Sequence, residues 1–208
     1  MKSAKTLFEN AEPVFEANEQ DKAAYLDEKK KKRKQELIEW IKDIAFAVLV
    51  AVIVLQFVMP TIVNQHSMEN TLMEGDYIFV SKKAYKWFGE PKRGDIVVFQ
   101  SDLPLENSKD DKLLVKRVIA LAGDTIVVKN GNVYLNGEQL SEEYIKDGLT
   151  NGEIDTTIPE GYLFCMGDNR LVSRDSRDPS IGLVSEESLR GKVVFRLFPL
   201  SKIGGLYK

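Results

Sequence analysis

The chain has 208 residues, with 29 Lys and Arg against 32 Asp and Glu, for a net charge of −3. That length suits one globular domain of about 100–200 residues plus an appendage, and the slightly acidic balance excludes a basic nucleic-acid-binding surface. One cysteine, Cys165, and one histidine, His66, exclude an internal disulfide, a thiolate zinc site and a histidine-built metal site; no acidic motif suggests another metal, and no cofactor is expected.

Residues 1–43 are polar, with ten basic and ten acidic side chains. The bases concentrate in Lys29, Lys30, Lys31, Lys32, Arg33 and Lys34, and Glu36–Trp40 favours a helix leading into the next segment. Residues 44–63, IAFAVLVAVIVLQFVMPTIV, carry no charge. Twenty helical residues span roughly 30 Å, the thickness of a bilayer core, so a single transmembrane helix is expected here. The basic cluster before it places the N-terminus in the cytoplasm, and Trp40 suits an interfacial anchor. The apolar run exceeds the 7–15 residues of a cleaved signal and no small-x-small pair succeeds it, so an uncleaved anchor is expected. Residues 64–208 are then expected outside the cytoplasm, at the cell membrane.

Residues 64–208 read as mainly β. Runs rich in Val, Ile, Phe and Tyr at 77–82, 96–100, 113–121, 125–129, 132–135, 162–166 and 191–198 predict strands. Asn130-Gly131 predicts a two-residue hairpin and Asn136-Gly137 another turn. Glycine next to aspartate at 75–76, 94–95, 123–124 and 167–168 marks turns between strands. Residues 101–112 and 141–160 read as loops, and the stretch at about 125–160 as a peripheral loop or ribbon.

The side chains able to do chemistry emerge partly by elimination. A Ser-His-Asp triad needs a histidine that reaches the serine. His66 directly precedes Ser67, and neighbours on an extended strand point to opposite faces. Cys165 sits in an apolar strand-like run, where a buried core thiol is the ordinary reading. Serine paired with lysine remains. Lysine becomes a base only when burial lowers its pKa from about 10.4, and Lys116, in LLVKRVIA, is the lysine most surrounded by apolar strand formers. Periodicity alone equally allows an exposed lysine on an alternating strand, and Ser67 taken alone is an ordinary turn residue.

Motifs in chain order decide further. Ser67-Met68-Glu69-Asn70-Thr71-Leu72 with Gly75-Asp76 resembles the S-M-x-P-T-L nucleophile box and G-D turn of type I signal peptidases. Arg93-Gly94-Asp95-Ile96-Val97-Val98-Phe99 resembles their next core strand. Lys116-Arg117-Val118-Ile119-Ala120-Leu121-Ala122-Gly123-Asp124 resembles their lysine box. Gly167-Asp168-Asn169-Arg170-Leu171-Val172-Ser173-Arg174-Asp175-Ser176-Arg177 matches their G-D-N-R-x-x-S-x-D-S-R box. The likeness covers about residues 44–200.

The resemblance implies a coiled antiparallel β-sheet catalytic domain behind one N-terminal membrane helix. It implies Ser67 as nucleophile, Lys116 as general base and Ser173 as the hydroxyl orienting the lysine amine. Asp175 and Arg177, with Arg117, are implied as a supporting charge network. The implied reaction passes through an acyl-enzyme and removes signal peptides from secretory preproteins after small residues, as in Ala-x-Ala. Val63, Met68, Leu72 and Leu114 are the candidates for shallow apolar substrate pockets. Asn70, Ala120 and Ala122 depart from the boxes, and Gln65 stands where a small or hydroxyl residue is common. These departures motivate two alternatives: a catalytically silent peptide-binding paralogue tethered to the membrane, and a peptidase dedicated to one client such as a pilin.

Overall fold

The computed structural model describes residues 19–87, 89–104, 111–146 and 148–206. The start of the expected polar tail, residues 1–18, and the centre of the expected loop at 101–112 lie outside them. The chain divides into two units, Met1–Val52 and Ile53–Lys208.

Helix α1 spans Glu19–Phe57. From Ile44 to Leu55 its large apolar side chains are solvent-exposed. The helix stops at Phe57 because Pro60 lacks an N–H, and its ring would clash with the carbonyl four residues back. Val58–Ile62 becomes strand β1 instead, with Pro60 tolerated because β1 lies at a sheet edge. This corrects the expected transmembrane helix over 44–63. Only 44–57 of that run is helical, roughly 21 Å at about 1.5 Å per residue. Among the described residues no helix is long and apolar enough to cross a membrane.

The remaining strands are β2 (Tyr77–Ser81), β3 (Ile96–Pro104), β4 (Asp111–Ala120), β5 (Thr125–Lys129), β6 (Asn132–Leu135), β7 (Glu138–Gln139), β8 (Ile154–Thr157), β9 (Tyr162–Met166), β10 (Val184–Ser185) and β11 (Leu189–Phe198). They form a seven-stranded sheet in the order β1-β2-β11-β3-β4-β9-β10 and a four-stranded sheet in the order β7-β6-β5-β8. Neighbouring strands pair antiparallel throughout, in line with the mainly β expectation. The small sheet is built from strands between Thr125 and Thr157. The expected loop at 101–112 is instead partly strand, since β3 runs on to Pro104 and β4 begins at Asp111.

Turn chemistry explains much of this frame. Asn130 and Gly131 take φ of 50° and 80°, joining β5 to β6, and Asn136 and Gly137 take 53° and 87°, joining β6 to β7; these left-handed pairs match the twist of a hairpin. Three Gly-Asp turns share one device. The carboxylates of Asp76, Asp95 and Asp124 accept the backbone N–H groups of Met73, Lys92 and Leu121 at 3.0, 3.2 and 2.8 Å. Each is buried and paired with a cation: Arg196, Lys192 and Arg93 respectively.

Both faces of the large sheet are covered at its centre. Alternate β3 residues serve two cores: Ile96 and Val98 pack with Val63, Met68, Leu72 and Val80, while Val97 and Phe99 pack with Leu114, Val118, Leu163 and Cys165. A third core joins the small sheet to β4 and β9 through Ile126, Val128, Ile119 and Phe164.

Candidate active site

The segment after β1 is fastened before it turns. Val63 N–H donates to the Asp76 carbonyl at 2.9 Å, and Gly75 N–H returns to the Val63 carbonyl at 2.8 Å. Between these anchors a single 3-10 turn, His66–Met68, presents Ser67. Met68 and Leu72 are fully buried in the core beneath it, so apolar packing holds the turn down. Ser67 keeps 9% of its surface exposed.

Lys116 lies mid-strand in β4, opposite Val97 of β3. Its side chain is 1% exposed, and its Nζ lies 2.7 Å from Ser67 Oγ and 3.1 Å from the Val115 carbonyl. No carboxylate pairs with it among the described residues. Burial lowers its pKa to about 8, against the opposing field of Asp175. Cys165, on the neighbouring strand, is fully buried; burial pushes its thiol pKa up, so it stays protonated. His66 turns away from the serine: its Nδ1 meets Glu69 Oε1 at 2.5 Å.

The last box wraps behind this pair. Gly167 is obligatory by contact rather than by backbone angle. A Cβ there would overlap the Ser67 carbonyl oxygen and the Cβ and Oγ of Ser173. Asp175 accepts Gly167 N–H at 2.9 Å and pairs with Arg177 at 2.8 Å; the arginine helps outweigh desolvation and holds its carboxyl below the usual range.

Ser173 is brought into the site, but its hydroxyl does not orient Lys116 by a hydrogen bond. The second partner of the amine is the Val115 carbonyl. The Ser173 hydroxyl contributes weakly to lowering the Asp175 pKa, yet it meets hydrogen-bond geometry with no group among the described residues. In the implied charge network Arg177 holds Asp175, while Arg117 grips Asp168 through two bonds of 2.8 and 2.7 Å, and Thr71 donates to the same carboxylate. Strand alternation sends Arg117 away from its neighbour Lys116.

The pocket candidates lie in the core. Val63, Met68, Leu72 and Leu114 are all buried core residues, at most 4% exposed. The apolar side chains on either side of Leu114 along β4 are the accessible ones, Leu113 exposed and Val115 partly so. The two described clefts contain neither Ser67 nor Lys116.

Sequence reasoning also missed a layer of support. Arg170 is 1% exposed and pairs bidentately with Glu142 at 2.9 and 2.5 Å. It also donates to Thr150 at 2.8 Å and to the Gly167 carbonyl at 3.0 Å. Tyr144 stacks under Arg117, whose guanidinium lies 4.0 Å from the ring centre. Arg170 stands in a motif box, but nothing local to Glu142 and Thr150 signals that they fold back onto it.

Chemically, the arrangement provides a hydroxyl beside a buried amine whose neutral form is accessible near neutral pH, which suits nucleophilic catalysis. Among the described residues no group of three His, Cys, Asp or Glu side chains could hold a metal ion.

The family described as signal peptidase, peptidase S26, matches residues 37–198. The chain is 36% identical over 188 residues to signal peptidase I of Bacillus licheniformis, covering 85% of this chain and 97% of that one. It is 36% identical to signal peptidase IB of Staphylococcus aureus strain N315, covering 81% of this chain and 93% of that one. The crystal structure of a signal peptidase I from Enterococcus faecalis is 31% identical, covers 50% of this chain and 96% of that chain, and aligns with a TM-score of 0.41.

Proposed function

We propose, from the premise that this chain belongs to the signal peptidase family, peptidase S26, that it removes signal peptides from secretory preproteins with Ser67 as nucleophile and Lys116 as general base. The observation that carries the reading is the 2.7 Å approach of a buried Lys116 Nζ, paired with no carboxylate among the described residues, to Ser67 Oγ. With a pKa of about 8, about a tenth of the lysine is neutral at pH 7, against less than about a thousandth for an ordinary one.

The neutral amine takes the Ser67 proton while Oγ attacks the scissile carbonyl. The Ser67 backbone N–H stabilises the oxyanion. The amine of the mature protein leaves, protonated by Lys116, and an ester-linked acyl-enzyme remains. Water then attacks the ester, losing a proton to Lys116; as the Ser67–acyl bond breaks, Lys116 returns that proton to Ser67 Oγ and the signal peptide leaves as a carboxylic acid. Leu113 and the partly accessible Val115, which precede the base on β4, are candidates for apolar contacts with small residues at positions −1 and −3. Ser173 and Asp175 with Arg177 support the lysine by packing and by charge.

The enzyme works at a bilayer. The apolar surface from Ile44 to Leu55 is exposed and would rest in lipid, and the basic run Lys29–Lys34 would meet anionic headgroups. Secretory substrates carry their own apolar segment in the same bilayer, which reduces the entropic cost of encounter. Alkaline carbonate extraction of cell membranes tests this: the chain is expected in the pellet, and quantitative release into the supernatant rejects lipid embedding.

The decisive assay incubates the detergent-solubilised chain with an Ala-x-Ala preprotein and maps the cut by mass spectrometry. Cleavage after the second alanine is expected from the wild type, and none from Ser67→Ala or Lys116→Ala. Full activity in either variant rejects the pair, and an inactive, folded wild type rejects general processing.

A further inference from the structure

Glu69 and Asn70 occupy box positions whose side chains the proposed reaction leaves unused. Their contacts converge on the backbone of the nucleophile. The Glu69 carboxylate is only 15% exposed and gathers three partners: Lys146 Nζ at 2.5 Å, Asn169 Nδ2 at 3.1 Å and His66 Nδ1 at 2.5 Å. These come from three places: the connection between β7 and β8 of the small sheet, the last box, and the nucleophile turn itself. Asn70 adds a second stitch to the first of these. Its Nδ2 donates to the carbonyls of Tyr144 and Ile145 at 3.2 and 3.4 Å, and Lys146 N–H donates to the Asp168 carbonyl at 3.1 Å.

Asn169 passes this fastening on. Its Nδ2, shared with Glu69, also donates to the His66 carbonyl at 3.1 Å, and its own N–H donates to the Ser67 carbonyl at 3.0 Å. The His66–Ser67 peptide is planar, with the His66 carbonyl and the Ser67 N–H pointing in opposite directions. Fixing the carbonyl therefore aims the N–H. Ser67 N–H is the donor that the proposed mechanism directs at the oxyanion, where small errors in aim are costly.

We propose that Lys146 and Glu69 are positioning residues that, through Asn169, aim the Ser67 N–H donor and so couple the segment at 142–150 to the catalytic step. The inference rests on Ser67 being the nucleophile. Among the described residues the hydrogen-bond partners of Lys116 are Ser67 and Val115, and neither Glu69 nor Lys146 is one of them. Their loss therefore acts on the transition state and leaves ground-state binding and the base alone.

Glu69→Gln and Lys146→Met test it in the full-length, detergent-solubilised chain on an Ala-x-Ala preprotein. Each is expected to lower kcat about tenfold, with KM within twofold of wild type and the pH midpoint of kcat/KM unchanged. The double variant is expected to lose no more than either single one, because the two act in series. The exchanged pair Glu69→Lys with Lys146→Asp is expected not to rescue, since Asn169 then loses the Glu69 carboxylate that shares its amide with the His66 carbonyl; Glu69→Asp is expected to recover part of the rate. Retention of kcat in both single variants, or a loss carried by KM, overturns the proposal. Inactivity of the wild type on this substrate overturns instead the functional reading beneath it.

Discussion

Replacing Lys116 with methionine separates what the lysine does for catalysis from what it costs the fold. Methionine is similar in length, apolar and flexible, so it fills the space without a charge. Burial takes Lys116 from an ordinary 10.5 to about 8. At about 1.4 kcal/mol per pH unit, this means that the protonated lysine destabilises the native state by about 3 kcal/mol. The sign comes from linkage. Below pH 8 both states bind the proton and the full penalty stands. Between about 8 and 10.5 the unfolded chain still binds it while the native one has released it, so native stability rises with pH. Above 10.5 the penalty is gone. Lys116→Met loses the bonds to Ser67 and Val115, about 1 kcal/mol each. At pH 7 the variant is therefore expected to be inactive yet more stable by about 1 kcal/mol. That corresponds to roughly 2–4 °C in Tm. The advantage is expected to fall with pH and reverse by pH 10.5. The assay is urea unfolding of wild type and variant at pH 7 and at pH 10.5. The difference between the two pH values is the decisive quantity, because packing changes cancel from it. A stability gap between the proteins that does not change with pH refutes the reasoning.

Cleavage rate is expected to rise with pH through a midpoint near 8 in kcat/KM, because only neutral Lys116 accepts the serine proton; a midpoint at the ordinary histidine pKa of about 6.5 that His66→Ala removes points to the histidine instead. Gly167→Ala forces apart the Ser67 carbonyl and Ser173, and is expected to reduce kcat/KM by about 100-fold in steady-state assays. Asn70→Pro restores the residue usual in the box but cannot adopt φ of 89°; it is expected to destabilise the chain by about 2 kcal/mol or more in urea unfolding, whereas Asn70→Gly costs less. Arg177→Met strips Asp175 of its guanidinium partner, so the uncancelled field of the carboxylate is expected to raise the Lys116 pKa and move the pH midpoint of kcat/KM above 8.

How much of the molecule is legible in the chain depends on whether the determinant is local. The hairpin at Asn130-Gly131 and the Gly-Asp turns are fixed by residues in contact with themselves, and they stand where the composition puts them. The serine, the lysine and the last box are found through motifs, and the fold brings them to one place. The end of α1 is misread despite Pro60, because an unbroken apolar run has no period to separate a helix from the edge strand after it. Strand β8 escapes notice because Ile154–Thr157 alternates with polar residues and pairs with a distant β5. The four pocket candidates are apolar and close to the box residues, but only the three-dimensional packing reveals that they face inward. Proximity in sequence likewise suggests one charge network, where pairing across 51 residues makes Arg117 a partner of Asp168.

The lysine works because its neighbours are already satisfied. A buried amine beside a free carboxylate would form an ion pair and stay protonated. The two buried acids whose field reaches Lys116 each have their own arginine: Asp175 has Arg177 and Asp168 has Arg117. Arginine holds these acids through planar, multiply bonded guanidinium groups, which a lysine cannot replace in kind. Asp175 is thus held ionised, and much of the acids' field at Lys116 is cancelled. The residual pull of Asp175 remains, but it is smaller than the desolvation it opposes. The arginines of the last two boxes therefore act on the chemistry without touching it. They leave the unmatched charge of this part of the interior on the amine that must lose its proton.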